Sequence, residues 1–594
     1  MSANSQFEYQ RINTAVDEIR ILSLQPGTFD CPISCTISHE PLQAVGDYEA
    51  LSYCWGDPAL SQEICIDSAK FSITEKAACA LRHLRTTDKV RRIWIDAVCI
   101  NQSDLDERLH QVRHMKNIYE NASRVLAWLG PEMDGSGDGI ALLRFLAQKV
   151  QERRAVIPTQ PFHELPTSSL RSLLGILRRQ YWSRTWIVQE VAVPQKEPLL
   201  GCGRQWDTWT TWKNGLYQLY AYKGMYSGPR KGDLPPPQQA IIPDLPLVHG
   251  FLDLDRIRRS VHRELSAENP TNLLDILKYT DRKEASDPRD HIFAVLGLIK
   301  TDEGANAVDV ITPDYAKTVW QVYCEMAKFA VESDRNLEIL YFRNHIRGPG
   351  LPSWLPDFSK RSDRFPPNAP DHWHKWSPTN YRPGISYIDS GHFPRVSDDL
   401  KSLTAHGRIV SRVHRILNLT GIRVDPLEVF SRIRSFALPG KLPSYWGSPE
   451  LFYFKDALWR TLLGNRSEEN TMPCPGSYRN TFDQLMMDTV GDQSEPSIEV
   501  QIFLRAVCNA VSFSETGPHR CLFMMADNRF GLGTPECREG DLICVVHCYS
   551  MPIILRPVGN HFEYVGDCYV HDIMNGQEVP EFALGEGWMS FTIC

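Results

Sequence analysis

The sequence predicts an α/β protein: a parallel sheet flanked by helices, followed by a helical middle region and a small C-terminal all-β domain. Three observations predict it. Ile93, Trp94, Ile95, Ala97, Val98 and Ile100 form an apolar run broken by one acid, Asp96, and strands buried on both faces suit parallel sheets covered by helices. A helical stripe and a second apolar run, RVLAWLG (Arg124–Gly130), follow it at βαβ spacing. Past His519 the pattern changes to short apolar runs split by turns, as in small barrels or sandwiches.

The elements follow in order. EIRILSLQPG (Glu18–Gly27) alternates and then turns at Pro-Gly. Tyr48–Trp55 reads as a strand ending in a Gly56-Asp57-Pro58 turn, and Lys76–Arg85 as a helix. Trp94–Val98 and Val125–Leu129 are expected as neighbouring interior strands. Between them a helix is expected, opened by Asp104 and Glu107 at capping-box spacing. Its core stripe is Leu105, Leu109, Val112, Met115, Tyr119 and Ala122. YWSRTWIVQEVAVP (Tyr181–Pro194) reads as a short helix that stops before its proline and places Trp186 and Glu190 on one face.

The expected boundaries are 1–205 for the first domain and 206–246 for a linker whose Tyr226–Pro246 core is rich in Pro and Gly. A mostly helical region follows at 247–400, then a mixed region at 401–515 and the β domain at 516–594. Helical periodicity marks Leu252–Glu264, Asn272–Tyr279, Ala316–Glu332, Glu450–Leu463 and Ser497–Ser514, and Leu403–Val424 alternates as strands do.

Composition narrows the function. The 594 residues are 42% hydrophobic and 23% charged, with a net charge of −8. That argues against a general nucleic-acid or membrane-surface binder. The N-terminus has no apolar run, no stretch approaches the length of a spanning helix, and the 16 cysteines never form C-x-x-C. A reduced cytoplasmic chain is the expectation.

YEALSYCWGD (Tyr48–Asp57), WIDAVCINQ with ER..Q after it (Trp94–Gln111), IYENASRVLAWLG and YWSRTWIVQE together resemble the fungal heterokaryon incompatibility (HET) domain, over roughly residues 7–203. SDPRDHIFAVLGL, PDYA and LPSWLPDFS resemble segments that follow HET domains. The family implies a part in fungal non-self recognition and programmed cell death, with other incompatibility proteins or self-assembly as partners. The order of strand, helix, strand and W-x-x-x-E helix is also similar to the TIR layout. In enzymatic TIR domains the Glu of that helix cleaves NAD. By position that residue is Glu190, with NAD as substrate and no resident cofactor.

The chemistry is consistent with that role. Breaking the nicotinamide glycosidic bond builds positive charge on the ribose, which a carboxylate stabilises. Trp186 could stack on a flat ring. The competing reading pairs Glu190 with Arg184 and leaves Trp186 in the core. Asp96 needs partners if buried, Arg108 being one. It fits a ribose or phosphate contact, and fits better an ion pair fixing the strand–helix turn. Ser52, Trp55 and Asp57 lie where ligands sit in open sheets, or else form a structural turn. Neither G-x-G-x-x-G nor Walker A occurs. No metal is expected, because His372-Trp373-His374 and Cys544…His547-Cys548 each lack a second half. Cys99 reads as an inert buried thiol. The alternative to NAD cleavage is a non-enzymatic module that triggers death by assembly.

Overall fold

The computed structural model describes residues 5–153, 164–225, 247–262, 273–299, 310–342, 350–360, 393–418, 425–438, 451–465, 473–487, 496–511, 520–574 and 587–594. The chain divides into two compact units, Met1–Thr318 and Val319–Cys594.

The first unit is built on a mixed sheet. Its strands are β1 (Glu18–Leu24), β2 (Ser34–Pro41), β3 (Glu49–Tyr53), β4 (Gln62–Ile66), β5 (Ala69–Ile73), β6 (Arg91–Trp94), β7 (Arg124–Trp128), β8 (Leu199–Cys202) and β9 (Gln205–Thr208). They lie in the order β5-β4-β2-β1-β6-β3-β7-β8-β9. Both flanks contain antiparallel pairs, β1 with β2 and β6, β4 with β5, and β8 with β9. The run β6-β3-β7-β8 is parallel throughout. Numbered along the chain, those four strands run 2-1-3-4, the order at the heart of flavodoxin-like doubly wound sheets. The sequence connecting them holds α1 (Glu75–Leu84), α2 (Asp96–Cys99), α3 (Leu105–Asn121), α4 (Ser136–Arg153), α5 (Thr167–Leu177) and α6 (Ile187–Ala192); α7 (Trp209–Met225) follows β9. β3 and β7 are buried from Ala50 to Tyr53 and from Val125 to Trp128, and every residue of these runs but Ser52 is apolar.

Three expectations change. The strand predicted at Trp94–Val98 ends at Trp94, and Asp96–Cys99 is a helical turn. The Asp96 carboxylate accepts the Ala97 N–H at 2.7 Å, and such a local bond favours a turn over a sheet ladder. β6 and β7 are not neighbours, because β3 lies between them. The face of α3 also differs: Leu105 is exposed, and the buried residues are Glu107, Gln111, Met115, Ile118 and Tyr119. Two polar residues sit inside because β1 supplies a partner for each, the buried Arg20 for Glu107 and the Glu18 carbonyl for Gln111. Arg20 makes bonds of 2.5 and 2.9 Å to Glu107, and Glu107 also accepts the Asn101 N–H at 2.7 Å. Gln111 donates to the Glu18 carbonyl at 3.0 Å. Asp104 caps α3 as predicted, accepting from the Asp106 and Glu107 N–H groups.

Residues 209–225 form α7, where the linker was expected from 206; Tyr226–Pro246 lies outside the described residues. Helices His249–Val261, Leu273–Thr280 and Asp290–Leu296 complete the unit. Among the described residues no helix is long and apolar enough to cross a membrane.

The second unit holds β10 (Arg395–Val396), β11 (Leu403–Leu417), β12 (Cys521–Met525), β13 (Phe530–Gly533), β14 (Leu542–Val546), β15 (Ile553–Val558), β16 (His561–Asp567) and β17 (Trp588–Ile593). β11 pairs with β14, β14 with β15, β15 with β16, β16 with β17, and β17 returns to β11. That ring closes a five-stranded barrel. The far end of β11 pairs with β12 instead, and register shifts mark both pairings, as bulges do where a strand bends between partners. Val413, Cys521, Phe523, Ile543, Val545, Ile554 and Val565 belong to one core. The helices Pro426–Ala437, Phe452–Leu462, Ser477–Met487 and Ile498–Val511 share a second core with Leu522, Phe530 and Leu532. Strand structure thus begins at β10 and β11, upstream of the β domain expected from 516.

Candidate functional site

The order 2-1-3-4 places a topological switch point between β3 and β7, and ligands of open sheets sit beyond the carboxyl ends of such strands. Here those ends are Tyr53–Asp57 and Trp128–Gly130. Gly56 and Gly130 both have positive φ, +70° and +112°, which lets the chain leave the strands sharply. Arg179 donates to the Leu129 carbonyl at 3.0 Å, and Cys54 to the Gln180 side chain at 3.3 Å. Lys76 is exposed, with Nζ 3.9 Å from the Cys54 sulfur.

Behind these ends lies a buried polar cluster. Ser52, on β3, is fully buried; its hydroxyl hydrogen-bonds the Glu190 carboxylate and lies 2.7 Å from the Tyr181 hydroxyl. Tyr181 is on the 3-10 turn Gln180–Ser183, and Glu190 is on α6. Arg184, between the two, has a nitrogen 3.7 Å from the Glu190 carboxylate and donates to the Tyr53 carbonyl. Glu190 is 1% exposed. Burial pushes its carboxyl up to about 7, with Asp96 adding, against the opposing pull of Arg184 and the Ser52 hydrogen bond. A carboxyl poised near neutrality can hold or release a proton at working pH.

Asp96 opens α2 and accepts the Trp55 indole N–H at 2.8 Å. Its expected partner, Arg108, lies instead over the Tyr315 ring, 4.7 Å from the centroid. Arg184 is the cation that Asp96 feels. Burial raises the Asp96 carboxyl above its ordinary range, and Arg184, Trp55 and the Ala97 N–H oppose the rise. Desolvation disfavours the Arg184 charge, but Glu190 and Asp96 together hold the guanidinium above its ordinary value. Arg184 is therefore the shared counter-charge of two acids.

The structure thus joins Ser52 to Glu190 directly, and Trp55 to Asp96, with Arg184 serving both acids. Asp57 is exposed and accepts the Ala59 N–H of its own turn. Trp186 is half-buried, and its indole hydrogen-bonds Asp290. Asp290 also accepts the Tyr315 hydroxyl at 2.7 Å, and burial pushes it up to about 6. The motif SDPRDHIF thereby meets PDYA, since Arg289 also donates to the carbonyls of Tyr315 and Lys317 at 2.5 and 2.7 Å. The ion pair of the competing reading, Arg184 with Glu190, is present. Sequence reasoning missed Tyr181, whose only signal was its place in YWSRTW. Cys99 is buried, with its thiol pushed up to about 12 by desolvation. His372 and His374 lie outside the described residues. Cys544 is buried, and Cys548 and His547 contact each other at 2.8 Å.

Comparison with known proteins adds three findings. Residues 48–190 match the family described as heterokaryon incompatibility protein (HET), and residues 506–583 match the Het-6 beta-barrel domain. Heterokaryon incompatibility protein 6, OR allele, of Neurospora crassa is 24% identical over 424 residues. The match spans 61% of this chain and 61% of that protein's length. No solved structure matches the chain. The resemblance read from the four motifs is borne out.

Proposed function

We propose that this chain, a HET-domain protein of the fungal heterokaryon incompatibility kind, is an effector of non-self recognition and programmed cell death. In this reading its first unit is a TIR-like domain that hydrolyses NAD. Water replaces nicotinamide at the ribose carbon, the glycosidic C–N bond breaks, and nicotinamide and ADP-ribose leave. The carrying observation is Glu190, a buried carboxyl pushed up to about 7 and held by Ser52 behind the switch-point ends of β3 and β7. When ionised there, it faces developing positive charge in surroundings that strengthen the attraction. Lys76 and Arg179 border the same strand ends and suit the phosphates of a dinucleotide. The strand order 2-1-3-4 supports a TIR-like sheet. The protein would act in the cytoplasm, with other incompatibility proteins or further copies of itself as partners.

The test is nicotinamide release by wild type and Glu190→Gln at matched, high protein concentration. Loss of such a preorganised group costs about 100- to 1,000-fold in rate. Equal turnover by both proteins removes Glu190 from the chemistry.

A second reading rests on a specific observation. The Glu190 carboxylate is already engaged by Ser52 and Arg184 at 1% exposure, which suits a lock between α6 and β3. The chain would then be a non-enzymatic module that triggers death by assembly. No turnover by either protein, with death triggered in cells by both, selects this reading.

A further inference from the structure

His110 and His114 lie one turn apart on α3, so both imidazoles project from the same face. Their ring centroids are 4.7 Å apart. Asp17 meets them from the turn that precedes β1, where it holds a left-handed backbone conformation with φ 49°. Its Oδ1 is 3.6 Å from His110 Nε2 and 3.2 Å from His114 Nε2. One ligand atom from each of the three residues lies within 4.8 Å of the others.

These separations match a metal site better than a hydrogen-bonded triad. Ligands about 2.0–2.1 Å from a tetrahedral ion are roughly 3.3 Å from one another. The 3.6 Å approach is too long for a hydrogen bond. Among the described residues His110 Nε2 is accordingly a buried nitrogen with no hydrogen-bond partner, though it faces a carboxylate. An unsatisfied buried polar atom calls for an explanation, and coordination to a cation would supply one. The scaffold around the three is fixed. Gln111, between the two histidines, donates to the carbonyl of Glu18, next to Asp17, at 3.0 Å. One turn earlier Arg20 grips Glu107.

We propose that Asp17, His110 and His114 bind one divalent transition ion of the zinc class, with water in the remaining position. Two imidazoles and a carboxylate are borderline ligands, suited to zinc, cobalt or nickel rather than calcium or magnesium. The ion clips the start of β1 to the middle of α3. That is a structural role, independent of the Glu190 chemistry.

Cobalt(II) tests this directly, because its visible absorption reports coordination by nitrogen and oxygen. Metal-free full-length protein should bind one equivalent of cobalt(II), and zinc should displace it. Asp17→Asn keeps shape while removing the charged ligand, and should weaken binding by roughly 10-fold or more. The double variant His110→Ala, His114→Ala should abolish the spectrum, with circular dichroism confirming its fold. If the double variant does not fold, Asp17→Asn, altered at a partly exposed side chain, decides alone. Undiminished binding in Asp17→Asn, undiminished binding in a folded double variant, or no binding by wild type at about 100 μM cobalt(II), overturns the assignment.

Discussion

The Ser52 hydroxyl hydrogen-bonds the Glu190 carboxylate, joining β3 to α6 across 138 positions of sequence. Ser52→Ala leaves the buried carboxylate without that donor. We expect a loss of about 1–3 kcal/mol at pH 8. The loss should shrink at pH 5, because the hydrogen bond favours the ionised form and its removal drives Glu190 further upward. Urea denaturation at the two pH values measures both effects, and a cost that grows on acidification contradicts the assignment.

Glu190 also sets a sign for stability against pH. Its folded value is about 7 against an ordinary 4.5, so the folded state holds this proton more tightly than the unfolded chain. The contribution is fully present below about 4.5 and is lost as pH rises through about 7. The difference corresponds to a change on the order of 3 kcal/mol. Asp290, raised from 3.8 to about 6, acts in the same direction. Glu190→Gln isolates the first term. Wild type should lose stability relative to this variant between pH 4.5 and 8, and parallel curves would show that Glu190 titrates normally.

The Arg20–Glu107 pair is buried on both sides, with side chains 0% and 5% exposed. Glu107→Ala leaves a guanidinium stranded in the core, and we expect a loss of about 3–5 kcal/mol. The double change Arg20→Met, Glu107→Leu should lose much less, since no charge is left buried. Chemical denaturation of the three proteins decides, and a double variant no more stable than Glu107→Ala would contradict the assignment.

Trp55→Phe removes the indole donor to Asp96 while keeping a ring. The cost should be about 1–3 kcal/mol. In a double-mutant cycle with Asp96→Asn the two changes should couple by about 0.5–3 kcal/mol. A coupling of zero would mean that the 2.8 Å bond contributes nothing.

Much of this site was legible because its signals were local. β7 announced itself by continuous apolar residues, β3 by the Gly56-Asp57-Pro58 turn that follows it, and Asp104 by its cap. Asp96 is instructive. One acid in an apolar run is read as a strand residue with a buried charge, yet the same acid ends the strand by bonding its own turn. Leu105 failed for a different reason. The stripe count assumed that only apolar residues face inward, whereas Arg20, 87 positions from Glu107, makes a polar helix face the buried one. Such pairing over long separations leaves no periodic trace. The same holds for Tyr181, and for the part of Arg184 that serves Asp96, which appear only when the 3-10 turn folds back on β3. The pair His110 and His114 went unread for the same reason, since Asp17 joins it only in three dimensions.

The fifteen-residue strand β11 serves β14, β17 and β12 at once: its first part closes the barrel with β14 and β17, and its end carries β12. A fragment cut to residues 506–583, the bounds of the family match, would carry neither β11 nor β17. Both β14 and β16 would then present bare ladders of N–H and C=O groups, which recruit other chains. The matched segment and the closed barrel therefore differ here, and soluble expression of the barrel requires segments far apart in sequence.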